Sequence, residues 1–427
     1  MRLTVTLSTP LRGSVRPPSD KSLTHRAYLL AGLAKPGSLS SVRDPLEGED
    51  CVATLRCLGE LGVVVQRTPG VTWITSPEAW SSPSAPLDCG NSGTTMRLMA
   101  GCLASREGLQ ATLVGDESLS RRPMARVVAP LRLMGAEVEG DLPPLGIQGR
   151  GLRGIDYTSP VASAQVKSAI LLAGLRASGE TWVREPAISR DHTERMLAAL
   201  GVVVRYDPER GVGVTESEPW GGFDVGISGD ISSAAFWLVA GAMVVGSEIN
   251  LRDVGVNPTR TGLFDVLDQV GVHYERGELR EAMGEPVADL TVWTTPQRAP
   301  FVIAGPLVPR LIDEIPVLAV LATQCAGRTV IRDAAELRVK ESDRIARMTE
   351  GLIAMGAIVE ATPDGFLIDG STPLHGATLD ARGDHRLAMA FAVAGMIADG
   401  ETVIENADSI ATSYPDFITH WEALQVV

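Results

Sequence analysis

Two hydrophobic patterns alternate along the chain. The first is an apolar run of small residues with no polar face, closed by a turn and followed by a strand-like stretch. It reads AYLLAGLAKPGSLS from Ala27, RLMAGCLASREGLQATL from Arg97, AILLAGLRASGETWV from Ala169, FWLVAGAMVVGSEINL from Phe236, VLAVLATQCAGRTVI from Val317 and AMAFAVAGMIADGETVI from Ala388. Helices that are apolar all round are expected to be buried on every side. The second pattern is amphipathic, ends in glycine and runs into another strand. It occurs as LRCLGELGVVV near Leu55, LRLMGAEVE near Leu131, MLAALGVVVR near Met196, VLDQVGVHYE near Val266 and GLIAMGAIVE near Gly351. Glycine just past the last helical turn is a stop signal. Successive copies start roughly 65 to 80 residues apart, a period that indicates repeated architecture. The chain therefore reads as α/β, with two lobes of three repeated units each, helices inside and sheets outside. The expected lobes are residues 1–20 with 229–427, and 21–228. Their hinges fall at PPSD before Lys21 and at VGISGD ending at Asp230, and the cleft between them is the expected ligand site.

Composition narrows the function. Apolar residues at 44% and charged residues at 21% describe an ordinary folded chain. The net charge of −14, from 52 acids against 38 bases, opposes binding to nucleic acid. Five cysteines without a CxxC pair suit a reducing compartment. The N-terminus lacks a signal-like apolar run, and no stretch reaches the roughly 18 apolar residues that span a bilayer. The expectation is a cytoplasmic protein with neither a membrane nor a nucleic-acid partner. Lysine is rare: Lys21, Lys35, Lys167 and Lys340 are the four, and arginine carries the rest of the positive charge.

Six polar stretches interrupt the apolar runs, most of them at expected helix starts. They are DKSLTHR (Asp20 to Arg26), GNSGTTMR (Gly90 to Arg97), SLSRRPM (Ser118 to Met124), SAQVKS (Ser163 to Ser168), LRVKESDR (Leu337 to Arg344) and GDHR (Gly383 to Arg386). Capping explains Ser, Thr, Asn and Asp in such places. It does not explain Lys21, Arg26, Lys167 and Arg386, because a cation at a helix N-terminus is unfavourable unless an anion lies beside it. Glycine-rich turns, helix N-termini and cations together describe sites for phosphate and carboxylate groups. On a continuous helix, Lys340, Arg344 and Arg347 would share one face, with Glu341 one step round. In LIDEIP, Asp313 and Glu314 stand just before a buried helix, where a carboxylate could hold a substrate hydroxyl and take its proton. Dinucleotide and P-loop glycine motifs are absent, His25, His192 and His385 lack metal-ligand spacing, and there is no GxSxG elbow.

In their order and spacing these motifs resemble the enolpyruvyl transferase family, in its 5-enolpyruvylshikimate-3-phosphate synthase branch, over essentially the full chain. The resemblance implies the inside-out two-lobed fold with three βαβαββ-type units per lobe. It also implies transfer of the carboxyvinyl group of phosphoenolpyruvate to the 5-hydroxyl of shikimate 3-phosphate, with release of phosphate. That reaction is a step toward chorismate and the aromatic amino acids. No metal or organic cofactor is implied, and the expected state is a monomer.

Carried over by motif, Lys21, Asp313 and Glu341 would be catalytic. Asp313 would accept the hydroxyl proton, and Glu341 or Lys21 would donate to the vinyl carbon. Lys21, Ser22, Arg26, Ser163, Gln165, Ser189, Asp313 and Lys340 would bind shikimate 3-phosphate. Lys21, Asn91, Gly93, Arg122, Gln165, Arg344 and Arg386 would bind phosphoenolpyruvate. Ser163-Ala164-Gln165, Glu336 and the region of Thr412 differ from some members and resemble the second class of the family. Two rivals are a transferase acting on UDP-N-acetylglucosamine and a non-catalytic repeat protein that binds an anionic metabolite. The first typically carries a cysteine in the loop matching Ser118 to Met124, which here has none. The second has no use for acids such as Asp313 and Glu341 in an anion site.

Overall fold

The computed structural model describes residues 1–425. The chain forms two compact units: Ser19–Ile227 with Glu281–Glu285, and Met1–Pro18 with Ser228–Arg280 and the described residues from Pro286 onward. Helices come in pairs: α1 (Lys21–Gly32) and α2 (Glu49–Glu60), α3 (Gly93–Ala104) and α4 (Ala125–Leu133), α5 (Ala164–Gly174) and α6 (His192–Ala199). The other unit holds α7 (Ile231–Met243) and α8 (Gly262–Val270), α9 (Ile315–Thr323) and α10 (Arg344–Ala354), α11 (His385–Gly395) and α12 (Phe417–Leu424).

The odd-numbered helices are the all-apolar copies. Every residue of α7 and α9 is buried, and each unit has its own core built round three such helices. Small residues let them pack closely. A Cβ at Gly101 of α3 would lie 2.2 Å from the Ala169 carbonyl oxygen of α5, so any larger residue would force these helices apart. The even-numbered helices are amphipathic. Five of them end at a glycine with left-handed φ (Gly62, Gly135, Gly201, Gly271 and Gly356), a conformation costly for other residues.

Among the described residues, strands complete five of the six repeats in one way. In the second repeat Leu87–Asp88 pairs in parallel with Gln110–Val114, which pairs antiparallel with Leu145–Gln148; Glu137–Glu139 closes the edge. The parallel pair brackets α3, so the repeat reads βαβαββ. The units exchange one strand each. Arg12–Val15 precedes α1 but pairs with Glu248–Gly255, which follows α7. Asp224–Gly226 precedes α7 but pairs with Leu39–Arg43, which follows α1. In the last repeat Leu3–Val5 pairs with Thr402–Glu405, in the place a hairpin fills elsewhere. The polar stretches thus fall at the N-termini of the buried helices or on neighbouring turns. No helix among the described residues is long and apolar enough to cross a membrane.

Candidate functional site

In the unit Ser19–Ile227, three buried helices present polar starts. Asp20 caps α1 by accepting from the Leu23 N–H at 2.9 Å. Lys21 is the first residue of that helix, and its Nζ lies 2.9 Å from Asp50 Oδ2 on α2. Asp50 offsets the unfavourable placement of a lysine against the positive end of the helix. Arg26, one turn on, is buried. It donates to the Ser22 carbonyl at 3.0 Å, to Thr193 Oγ1 at 2.8 Å and to Ser168 Oγ at 2.9 Å. Burial lowers its pKa to about 10, still far enough above neutrality to keep the charge.

Ser92 caps α3, accepting from the Thr95 N–H at 3.1 Å and from its hydroxyl at 2.8 Å. Replacing Ser92 by alanine is expected to cost about 1 kcal/mol. The melting temperature should then fall by roughly 2–4 °C, as scanning calorimetry would read it. Before that cap Arg122 donates to Asn91 Oδ1 at 2.7 Å, and Asn91 donates to Asp116 at 2.7 Å. Arg97 donates to Gln165 Oε1 at 2.6 Å, and Gln165 donates to Thr94 Oγ1 at 2.8 Å. A Cβ on Gly93 would fall 2.8 Å from Arg97 Nη1 and 3.5 Å from Arg122 Nη1. Glycine therefore keeps open the spot where two guanidinium groups converge.

The start of α5 is built differently. No side chain of its own caps it. The Ser163 N–H donates to Glu185 Oε1 at 2.7 Å, and Ser189 Oγ donates to Glu185 Oε2 at 2.7 Å. Lys167 sits 3.0 Å from Glu185 and 2.8 Å from Glu194, all three side chains nearly inaccessible. Burial works against its charge, but the two carboxylates outweigh burial and hold its pKa above the usual lysine value.

The other unit gathers its charge round one carboxylate. Asp313 precedes α9, and its side chain lies 3.6 Å from Lys340 Nζ, 3.4 Å from Arg344 Nη1 and 3.9 Å from Arg386 Nη2. Arg344 is buried and also reaches Glu341 Oε2 at 2.5 Å and Asp384 Oδ2 at 2.9 Å. Burial opposes its charge, yet Glu341, Asp384 and Asp313 together raise its pKa above the usual arginine value. Asp384 also caps α11 through the Arg386 N–H at 3.0 Å. Glu314, beside Asp313, is fully buried; the Ser232 hydroxyl donates to one of its oxygens, and burial pushes its carboxyl pKa up.

Within their own units these contacts join Asn91, Gly93, Arg122 and Gln165, then Ser163 and Ser189, then Asp313, Lys340, Glu341, Arg344 and Arg386. Lys21, Ser22 and Arg26 share the first turns of α1. One expectation needs correcting: Lys340 does not share a helix with Arg344. Asp343 caps α10 at the Ala346 N–H, so the helix begins at Arg344 and Lys340 lies in the preceding turn. Arg97, Glu185 and Asp384 were not singled out from the sequence as site residues. Arg97 and Asp384 lie inside quoted motifs, whereas Glu185 in REPAISR carries no local signal.

All five cysteines are buried. Burial raises the thiols of Cys102 and Cys325 to about 12. The native protein is expected to resist a thiol reagent at neutral pH and to keep its activity, with all five thiols titrating only after denaturation. Rapid reaction of one native thiol, with activity lost in proportion, would contradict this.

The family model for EPSP synthase (3-phosphoshikimate 1-carboxyvinyltransferase) matches residues 5–421. A 3-phosphoshikimate 1-carboxyvinyltransferase of Anaeromyxobacter sp. is 51% identical over 97% of this chain and 96% of its own length. One of Synechococcus sp. is 50% identical over 97% and 96%. An EPSP synthase structure from Acinetobacter baumannii superposes with a TM-score of 0.90 at 38% identity, covering 100% of this chain and 98% of the other. The enolpyruvyl transferase NikO of Streptomyces tendae shares the fold, with a TM-score of 0.78 at 19% identity over 99% and 97%. A match along nearly the whole length places the chain in the EPSP synthase family.

Proposed function

We propose that this chain transfers the carboxyvinyl group of phosphoenolpyruvate to the 5-hydroxyl of shikimate 3-phosphate and releases phosphate. The observation that carries the reading is Asp313, a carboxylate with Lys340, Arg344 and Arg386 all within 4 Å of it. An anion-binding protein gains nothing from an acid in that position. A transferase needs one to take the hydroxyl proton while cations hold the phosphate and carboxylate groups.

In this mechanism the 5-oxygen loses its proton to Asp313 and bonds to C2 of phosphoenolpyruvate as C3 gains a proton. The resulting tetrahedral intermediate expels phosphate and returns the C3 proton, restoring the double bond. Glu341, held by Arg344, and Lys21, held by Asp50, are the two candidates for the C3 proton. Ser22, Arg26, Ser163, Gln165, Ser189 and Lys340 hold shikimate 3-phosphate. Asn91, Gly93, Arg122, Gln165, Arg344 and Arg386 hold phosphoenolpyruvate. The reading is of a monomer in the cytoplasm. The test is phosphate release from protein, phosphoenolpyruvate and shikimate 3-phosphate, with each substrate omitted in turn. Release that continues without shikimate 3-phosphate, or with UDP-N-acetylglucosamine in its place, would overturn the assignment.

A further inference from the structure

Glu185 has no place in the scheme above, yet it occupies two of its ligands. Its carboxylate accepts from the Ser163 N–H and from Ser189 Oγ, each at 2.7 Å, and pairs with Lys167 at 3.0 Å. A backbone N–H at a helix start, a hydroxyl and an ammonium are the usual equipment of a phosphate site. Asp20, Ser92, Asp230 and Asp384 cap α1, α3, α7 and α11 with their own side chains, whereas α5 and α9 have no such cap, and at α5 the Ser163 N–H meets a carboxylate from another segment.

We propose that Glu185 is an internal stand-in for the substrate's phosphate: it fills the Ser163–Ser189–Lys167 hole in the free protein and gives it up when the phosphate monoester binds. This rests on the assignment of Ser163 and Ser189 to shikimate 3-phosphate. The two anions do not share the hole. Like charges at such a separation repel, and a phosphate monoester carries nearly two. Lys167 is not left with an unbalanced charge when Glu185 departs, because Glu194 stays 2.8 Å away. Pro186 and Ile188, in the segment carrying Glu185, are exposed. Glu185 then sets affinity by competition: a hole filled nine-tenths of the time weakens the apparent affinity about tenfold.

The test compares wild type with Glu185→Gln and Glu185→Ala, each first checked for a cooperative melt. Calorimetric titration with shikimate 3-phosphate is expected to give a Kd about tenfold lower in both variants, while the Kd for unphosphorylated shikimate stays the same. In steady state, KM for shikimate 3-phosphate falls and KM for phosphoenolpyruvate does not. A merely structural glutamate would give the opposite, since losing it would misplace Ser163 and Ser189 and weaken binding. An unchanged or higher Kd for shikimate 3-phosphate therefore overturns the proposal. A wild type that binds shikimate as well as its 3-phosphate would instead overturn the substrate assignment. A crystal structure of the wild type with shikimate 3-phosphate decides the matter even if both variants unfold. Phosphate oxygens on Ser163 N and Ser189 Oγ, with Glu185 turned away, are expected; Glu185 still bound to both donors overturns the proposal.

Discussion

Replacing Asp313 by asparagine should lower kcat by a hundredfold or more and leave both substrates bound with KM changed only a few-fold. Asparagine matches the size of aspartate and keeps an oxygen that accepts hydrogen bonds, so the hydroxyl is still positioned. It has no charge and cannot take the proton at neutral pH. A hundredfold is about 2.7 kcal/mol of transition-state stabilisation, at the lower end of what a positioned base contributes. The fold tolerates the change. Arg344, the buried member of the cluster, keeps Glu341 at 2.5 Å and Asp384 at 2.9 Å, so its guanidinium is never left without a countercharge. Steady-state rates with each substrate varied would check this. Near-normal kcat would move the base role to Glu341 or to a water.

The contrast between Asp313 and Glu314 gives the sequence reading its physical content. Both stand in LIDEIP, and nothing in the string separates them. The fold does: Asp313 lies among three cations, whereas Glu314 is fully buried and accepts from Ser232. The alternation of slim apolar helices with glycine-ended amphipathic ones was legible because period and stop signals are local. The six buried helices fall on the six quoted runs, and the five glycine stops have the φ that only glycine adopts freely. The expected lobes already put Arg12–Val15 with 229–427 and Asp224–Gly226 with 21–228; their pairing with Glu248–Gly255 and Leu39–Arg43 was not legible, since pairing is non-local and strands of three or four residues carry almost no pattern. Helix α12 was missed for a related reason: FITHWEAL ends without a glycine. At the site, cations at helix starts stood out because capping does not explain them. Glu185 did not, because in an acidic chain one more carboxylate reads as surface charge until its partners are seen.

Lys21→Arg should lower kcat/KM by about a hundredfold although it conserves charge, which corresponds to about 2.7 kcal/mol. Arginine is the chain's ordinary cation; lysine occurs four times among 38 basic residues. If charge alone sufficed at the head of α1, arginine would serve as well. The setting argues that it does not. Lys21 Nζ lies 2.9 Å from Asp50, and both side chains are largely buried, at 22% and 15% exposure. A guanidinium in that space is wider and planar, and it favours two-point pairing with the carboxylate, which would turn its N–H groups toward Asp50 and away from a substrate. It is also too weak an acid to deliver a proton, whereas an ammonium can exchange one. Lys35→Arg is the control. Lys35 is exposed in the turn after α1, where its backbone N–H donates to the Trp220 carbonyl at 2.8 Å and its carbonyl accepts from the Ser38 N–H at 3.0 Å. That variant should be almost silent in the same assay. If both substitutions cost the same few-fold, position 21 works by charge alone and the C3 proton must come from Glu341.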